Sequence, residues 1–316
     1  MEWDRAPLEL ISNAAPWRTF RWRHGQKHYS GTYWSATERA HVIYESRLEL
    51  ARLLFADFDP AVTRIIAQPF MIRAFIEKRV RKHVPDYLLL TDDGPVVVDV
   101  KPRSQLDEPK VKFTLDWTRT LVERRGWCYE VWSEPPATEL ETVRFLAGFR
   151  NAERFDPELI NALKARDDLT GRTLAHAFCE YRKWTEPIVR SAVLHLLWSN
   201  YFAVSVDQPL SPRTVLSGLD SDPPVRLHGR PRPISSTADL DHERIQIDQR
   251  VERFQRATLP GQDFVEDLLQ TSLPIGPVDH DANVSNPRRR GPRVAHDRRR
   301  RSRIRDDYSA CGPPSR

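Results

Sequence analysis

Two carboxylates and one ammonium stand at chosen places in an otherwise apolar stretch of this chain. Asp86 opens the run Tyr87-Leu88-Leu89-Leu90, while Asp99 and Lys101 lie two residues apart at the end of Pro95-Val96-Val97-Val98-Asp99-Val100-Lys101. Between the runs, Thr91-Asp92-Asp93-Gly94 has the turn chemistry of a β-hairpin. Strand alternation points Asp99 and Lys101 to one face. Burying such a trio beside an apolar sheet is costly, and a divalent cation held by carboxylate oxygens is the natural compensation. Hydrolysis of a DNA phosphodiester needs a water made nucleophilic, a phosphate whose growing charge is matched, and a stabilised leaving oxygen. One or two Mg²⁺ ions supply all three when carboxylates hold them open on one side. Asp86 and Asp99 are the candidate ligands, and the carbonyl of Val100 lies where a backbone oxygen would join them. Lys101 would orient or deprotonate the water, or neutralise the phosphate. A helix ahead of the sheet would supply a further carboxylate.

The elements that must position these groups read as a mixed α/β domain. Residues 16–43 alternate aromatic and polar side chains, the pattern of a β-ribbon. Over 44–56 the apolar set Tyr44, Leu48, Ala51 and Phe55 recurs at helical spacing, and Asp57, Asp59 and Pro60 are expected to stop that helix. Residues 62–70 and 71–76 read as extended segments broken at Gln68-Pro69, followed by the hairpin. A helix is expected over 106–125, with Arg124-Arg125-Gly126 suiting its end, and a short strand over 128–132. Helix, antiparallel strands, helix and strand reached by a crossover make a mixed sheet flanked by helices.

From Asp156 the texture changes. Helices are expected from Pro157, over 171–183 and over 185–197, then a strand over 201–206, a set resembling a small winged-helix module. Beyond about 216 Pro, Asp, Arg and Ser dominate, apart from a helical stretch near 241–257 or 264–269. The tail 274–316, with two four-residue runs at Pro287-Arg288-Arg289-Arg290 and Arg298-Arg299-Arg300-Arg301, is expected to be disordered. The chain thus divides into a β-rich extension (1–40), a catalytic domain (41–150), a helical winged-helix-like module (151–215) and a basic tail (216–316).

Composition bounds the partners. The chain has 316 residues, 40% of them hydrophobic, and a formal net charge of +5, a balance that favours a polyanionic partner. Its 3 cysteines, Cys128, Cys179 and Cys311, show no paired spacing and suggest neither a disulfide framework nor a zinc cluster. No apolar stretch is long enough to span a bilayer, and the first residues lack the plan of a secretion signal, so a cytoplasmic protein without membrane contact is expected.

Pro85-Asp86 followed by Asp99-Val100-Lys101 resembles the PD-(D/E)xK signature of restriction-endonuclease-like nucleases. Ser46-Arg47-Leu48-Glu49-Leu50, Phe58-Asp59-Pro60-Ala61-Val62 and Gln68-Pro69-Phe70 sharpen this, since together they look like the N-terminal catalytic domain of TnsA-type transposon endonucleases. The resemblance covers about residues 40–135 and more loosely the helical module to about 210. It implies that Glu49 is the helix acid, with Glu45, four residues earlier on the same face, as its rival or supporting partner. It implies Mg²⁺ as cofactor, with Mn²⁺ able to substitute, held by Glu49, Asp86, Asp99 and Val100. It also implies cleavage of DNA at transposon ends on the strand left uncut by a DDE-type transposase, in a complex with that transposase and an AAA+ ATPase regulator. Two departures are visible: Ala67 stands where members often carry Glu, and Asp99 where some carry Gln.

Plainer readings stand beside these. Asp86 would cap a strand end, and Asp99 with Lys101 would be a surface ion pair. Gln68 reads as structural, His83 as a bystander, and Lys110 and Lys112 either as phosphate contacts or as a solvated helix face. The rival functions are a stand-alone nuclease of restriction or repair type on the same fold, and a DNA-binding or assembly module whose nuclease site is vestigial.

Overall fold

The computed structural model describes residues 1–17, 29–179, 183–218 and 245–248. A short helix α1 (Leu8–Ser12) is followed by the strands β1 (Gly31–Ser35) and β2 (Ala40–Tyr44), which pair antiparallel. Helix α2 (Arg47–Phe58) leads into β3 (Val62–Ala67), β4 (Met71–Ile76), β5 (Arg79–His83), β6 (Tyr87–Thr91) and β7 (Gly94–Val100). Helix α3 (Pro109–Arg124) then carries the chain over to β8 (Cys128–Trp132). The strands β3-β6-β7-β8 form one sheet, antiparallel except for the β7–β8 pair, which runs parallel as a crossover through α3 demands.

This central sheet is covered on both faces, and the sequence of β7 shows why. Val96, Val98 and Val100 pack with Tyr87, Leu89, Leu53 and Phe55 on the α2 side. Val97 packs with Leu88, Leu115, Leu121 and Val122 on the α3 side, where Trp3 and Ile11 close the cluster. An unbroken valine run is what a strand buried on both faces requires. The result is a mixed α/β arrangement of sheets flanked by helices, which fits a restriction-endonuclease-like fold.

Helix α4 (Ala137–Leu146) packs beside α2, and α5 (Pro157–Lys164), α6 (Leu174–Cys179) and α7 (Glu186–Trp198) follow. Their apolar side chains join the α2-side cluster. Phe58 at the end of α2 meets Trp198 with ring centroids 5.3 Å apart, and Asn200 Nδ2 donates to the Phe58 carbonyl at 2.8 Å. Finally β9 (Gln246–Asp248) pairs with β4, giving a second sheet of order β5-β4-β9. Among the described residues no helix is long and apolar enough to cross a membrane.

Several expectations are corrected. Tyr44 ends a strand, and α2 begins three residues later because the Ser46 hydroxyl caps it by accepting the Glu49 N–H at 3.1 Å. The helix runs through Asp57 instead of stopping there. Asp57 accepts from the Tyr33 and Ser35 hydroxyls at 2.7 and 2.6 Å and from the Ala36 and Thr37 N–H groups at 3.0 and 2.8 Å, so its carboxylate is satisfied by the β1–β2 ribbon. Strand β5 was not foreseen, because its turn is made by Glu77 and Lys78 at φ 52° and 61° and carries no glycine or asparagine to announce it. Helix α4 is likewise additional to the expected set. Residues 201–206 form no strand: Ala203 makes only an isolated bridge to Ser217, as Thr173 does to Val215. Within the stretch read as helix near 241–257, Gln246–Asp248 is a strand. The rest of that stretch, residues 264–269 and the arginine-rich tail lie outside the described residues.

Asp57 ties the β1–β2 ribbon to the helix behind the sheet, and its loss would leave buried hydroxyls without an acceptor. Asp57→Ala is expected to lower stability by about 3 kcal/mol, read as an earlier midpoint in urea denaturation of the full chain.

Candidate active site

Asp86 sits where β6 begins, and its main chain is fixed on both sides. Its N–H donates to the Val98 carbonyl at 3.1 Å, and its own carbonyl accepts from Gln68 N at 2.9 Å. Its Oδ2 accepts the Val100 N–H at 2.7 Å and stands 3.5 Å from Lys101 Nζ. Lys101 continues past the end of β7 with its N–H on the Trp132 carbonyl at 2.9 Å, and its ammonium also donates to the Val100 carbonyl at 3.0 Å. The backbone of the parallel strand thus holds the lysine where it meets Asp86.

Asp99 lies deeper, fully buried within the sheet layer. His83 Nε2 stands 2.9 Å from Oδ1 and 2.8 Å from Oδ2, and the Tyr129 hydroxyl donates to Oδ2. Tyr129 pairs with Val97 across the β7–β8 ladder, so it is the diagonal same-face neighbour of Asp99. His83 is therefore no bystander. The signal for it was its position at the end of an unannounced strand, which made its direction unreadable.

Glu49 occupies the third position of α2, and its side chain turns back toward the helix start. Its carboxylate accepts the Glu45 N–H at 2.7 Å and the Ser46 hydroxyl at 3.0 Å, a variant of the capping box that reaches the residue before the cap and fixes the group in place. The rival acid Glu45 is engaged differently: Gln68 Nε2 donates to its Oε1 at 2.9 Å. Gln68 is buried and takes a left-handed φ of 47°, a conformation sparsely populated outside glycine and held here by the contacts around it. Through its side chain and its main chain, Gln68 links the lead-in of α2 to Asp86.

Glu49, Asp86 and Lys101 share the lining of one cleft of about 580 Å³ with Glu45, His83 and Lys110. Asp99 stands behind this lining, reached through His83. Lys112 is exposed on the first turn of α3, two residues beyond Lys110.

The charges divide into two kinds. Burial, and then the charge of Asp86, push the Glu49 carboxyl up to about 7. Burial also raises Asp86, against the pull of Lys101. For Asp99 burial works upward too, but His83 by charge and hydrogen bond, with Tyr129 and Lys101, outweighs it and holds the carboxyl below its ordinary value. Burial opposes the Lys101 ammonium, yet Asp86 and Asp99 overcome it and raise its pKa. Lys101 is thus a cation at neutral pH.

Hard oxygen donors at a cleft, two of them raised by burial and by like charge, suit a divalent cation by chemical type. The fit is incomplete in arrangement. Among the described residues no three His, Cys, Asp or Glu side chains are grouped to hold one ion. Asp99 is turned to His83 and Tyr129, and the Val100 carbonyl to Lys101.

Residues 59–134 match the family model described as TnsA-like endonuclease N terminal, which bears out the resemblance to TnsA-type endonucleases. The matched segment contains Asp86, Asp99, Val100 and Lys101 and begins ten residues after Glu49. None of the curated proteins matches the chain.

The raised Glu49 carboxyl gives a signed dependence on pH. Its folded value near 7 exceeds its unfolded value of 4.5, so the fold favours the neutral acid, and the penalty for ionising it grows as pH rises between the two. In EDTA at pH 8, Glu49→Gln is expected to be more stable than wild type by on the order of 1 kcal/mol, below the full linkage value because the cleft is open to solvent. Thermal melts should show that advantage vanish toward pH 4.

Proposed function

We propose that this chain is a metal-dependent DNA endonuclease subunit of a heteromeric transposase, hydrolysing phosphodiester bonds at transposon ends on the strand not cut by a DDE-type partner. The observation that carries the reading is the meeting of Asp86 and Lys101 at 3.5 Å in the cleft that Glu49 lines. The TnsA-like match over 59–134 supports the reaction class.

In this reading Glu49 and Asp86 would hold Mg²⁺, or Mn²⁺ in its place, and Asp99 and the Val100 carbonyl would join them only by giving up their present partners. When bound, that ion supplies a Lewis acid for the phosphate and lowers the pKa of an attacking water. Lys101 stays protonated between two carboxylates, so its part is to orient the water and neutralise charge on the phosphate, and proton abstraction falls to another group. Tyr129 and His83 hold Asp99 before any such exchange. Lys110 and Lys112 lie at the mouth and on the adjoining helix face, where they would meet phosphates of the same duplex.

The module after residue 150 is proposed to be winged-helix-like and to contact an AAA+ ATPase regulator. Three features support the winged-helix-like part of this reading: the helix order α5, α6, α7, the bridge between Thr173 and Val215, and the bridge between Ala203 and Ser217, which join the segments flanking those helices.

Outer-shell partners of a metal already change activity or affinity about 10–100-fold when mutated, and Asp86→Ala is expected to exceed that range in nicking of the strand the partner leaves uncut, read by strand-specific end-labelling with Mg²⁺ and the partner transposase. Lys101→Ala should be nearly as damaging, while far-UV circular dichroism stays that of wild type. Nicking by Asp86→Ala at the wild-type rate would overturn the assignment. Strong cutting by the chain alone would instead favour the stand-alone nuclease.

A further inference from the structure

The β4–β5 ribbon has two unlike faces. On one, Ile72 and Ala74 are buried in the α3-side cluster, Arg81 lies over the Phe113 ring at 4.8 Å, and His83 reaches Asp99. On the other, the register sets Arg73 opposite Lys82 and Phe75 opposite Val80. Phe75 is 44% exposed and Val80 62%, among the few large apolar side chains left in solvent. The strand β5 is the outer edge of its sheet.

Charge on this ribbon is one-sided. Residues 73–83 carry five cations, Arg73, Lys78, Arg79, Arg81 and Lys82, against the single acid Glu77. Glu77 is taken up by Arg81 at 2.9 Å and Arg73 is paired with Asp248 at 2.6 Å. Arg79 stands opposite Ile76, on the face that carries Ile72 and Ala74, which leaves Lys78 exposed at the turn and Lys82 exposed beside Phe75 and Val80. Basic side chains on an edge strand also guard against edge-to-edge association. That purpose does not account for an exposed Phe–Val pair, which a guarded edge would dispense with.

The exposed face is continuous with the catalytic cleft, because Met71 and Lys82 at its inner end line that cleft with Glu49, Asp86 and Lys101. A six-residue strand spans roughly 20 Å, the length of about five or six base pairs of duplex. Two-stranded ribbons enter DNA grooves, and apolar side chains among cations pack on sugars and base edges there. From this convergence we infer that the β4–β5 ribbon is a DNA-positioning arm: it lies in a groove of the duplex beside the scissile bond, with Phe75 and Val80 against its floor and Lys78 and Lys82 on its phosphates. The inference rests on the nuclease reading of the cleft and names where the flanking duplex lies.

The test is fluorescence anisotropy with the full chain, a labelled 20-base-pair duplex and EDTA, across a series of KCl concentrations. Removing two phosphate contacts in the double variant Lys78→Ala/Lys82→Ala should weaken binding about tenfold and reduce the salt slope by about 1.8. Phe75→Ser/Val80→Ser should weaken binding with the slope unchanged. All four side chains are at the surface, so thermal melts of both variants should match wild type. Wild-type affinity and slope in both variants would overturn the arm. So would a change from dimer to monomer in Phe75→Ser/Val80→Ser with DNA binding intact, since the face would then belong to a second copy. Either result leaves the nuclease reading to the separate nicking test of Asp86→Ala.

Discussion

A carboxylate at the end of a buried hairpin must be given donors before the hairpin can close, and Asp86 takes them from the strand it faces. The Val100 N–H at 2.7 Å and the Lys101 ammonium at 3.5 Å clasp it at the end opposite the Asp92–Asp93 turn. The hairpin is thus pinned at both ends. A slip of one residue would carry Asp99 into the valine-lined α2 side and turn Val100 toward His83, leaving a buried charge without its partners. The contact that fixes the register also places Asp86 and Lys101 side by side at the cleft.

Around that clasp the acids are deliberately unequal. Asp99 is fully satisfied and held below its ordinary pKa, whereas Glu49 and Asp86 are raised by burial, and Glu49 further by the charge of Asp86. Unrelieved negative charge therefore collects at the cleft surface and not behind it. This is where a cation or a proton has the most to contribute, and the protonated Lys101 supplies only part of what is needed.

Much of the central sheet was legible because its signals are local. The Val-Val-Val run, the Asp-rich turn, the Gln68-Pro69 break and the Arg124-Arg125-Gly126 helix end each act within a few residues. Alternation set Asp99 and Lys101 on one face, whereas the meeting of Lys101 with Asp86 depends also on the backbone bond to Trp132 in the parallel strand. What could not be read depends on contacts far along the chain. The continuation of α2 through Asp57 needs donors from Tyr33 to Thr37, the β5 turn needs left-handed Glu77 and Lys78, and β9 is a strand only because β4 offers an edge. The roles of His83 and Tyr129 were hidden for the same reason: nothing near either residue in sequence mentions Asp99.

Helix α2 spans 12 residues and has its two ends in different company. Its first turn carries Glu49 at the cleft, while its last residue, Phe58, packs its ring at a tilt against Trp198 and is bonded through its carbonyl to Asn200. At a rise of about 1.5 Å per residue it is a strut of roughly 18 Å, too short to bend. The C-terminal helices and Glu49 are thereby joined through a stiff rod. A partner that grips those helices would move the acid by leverage, without entering the cleft.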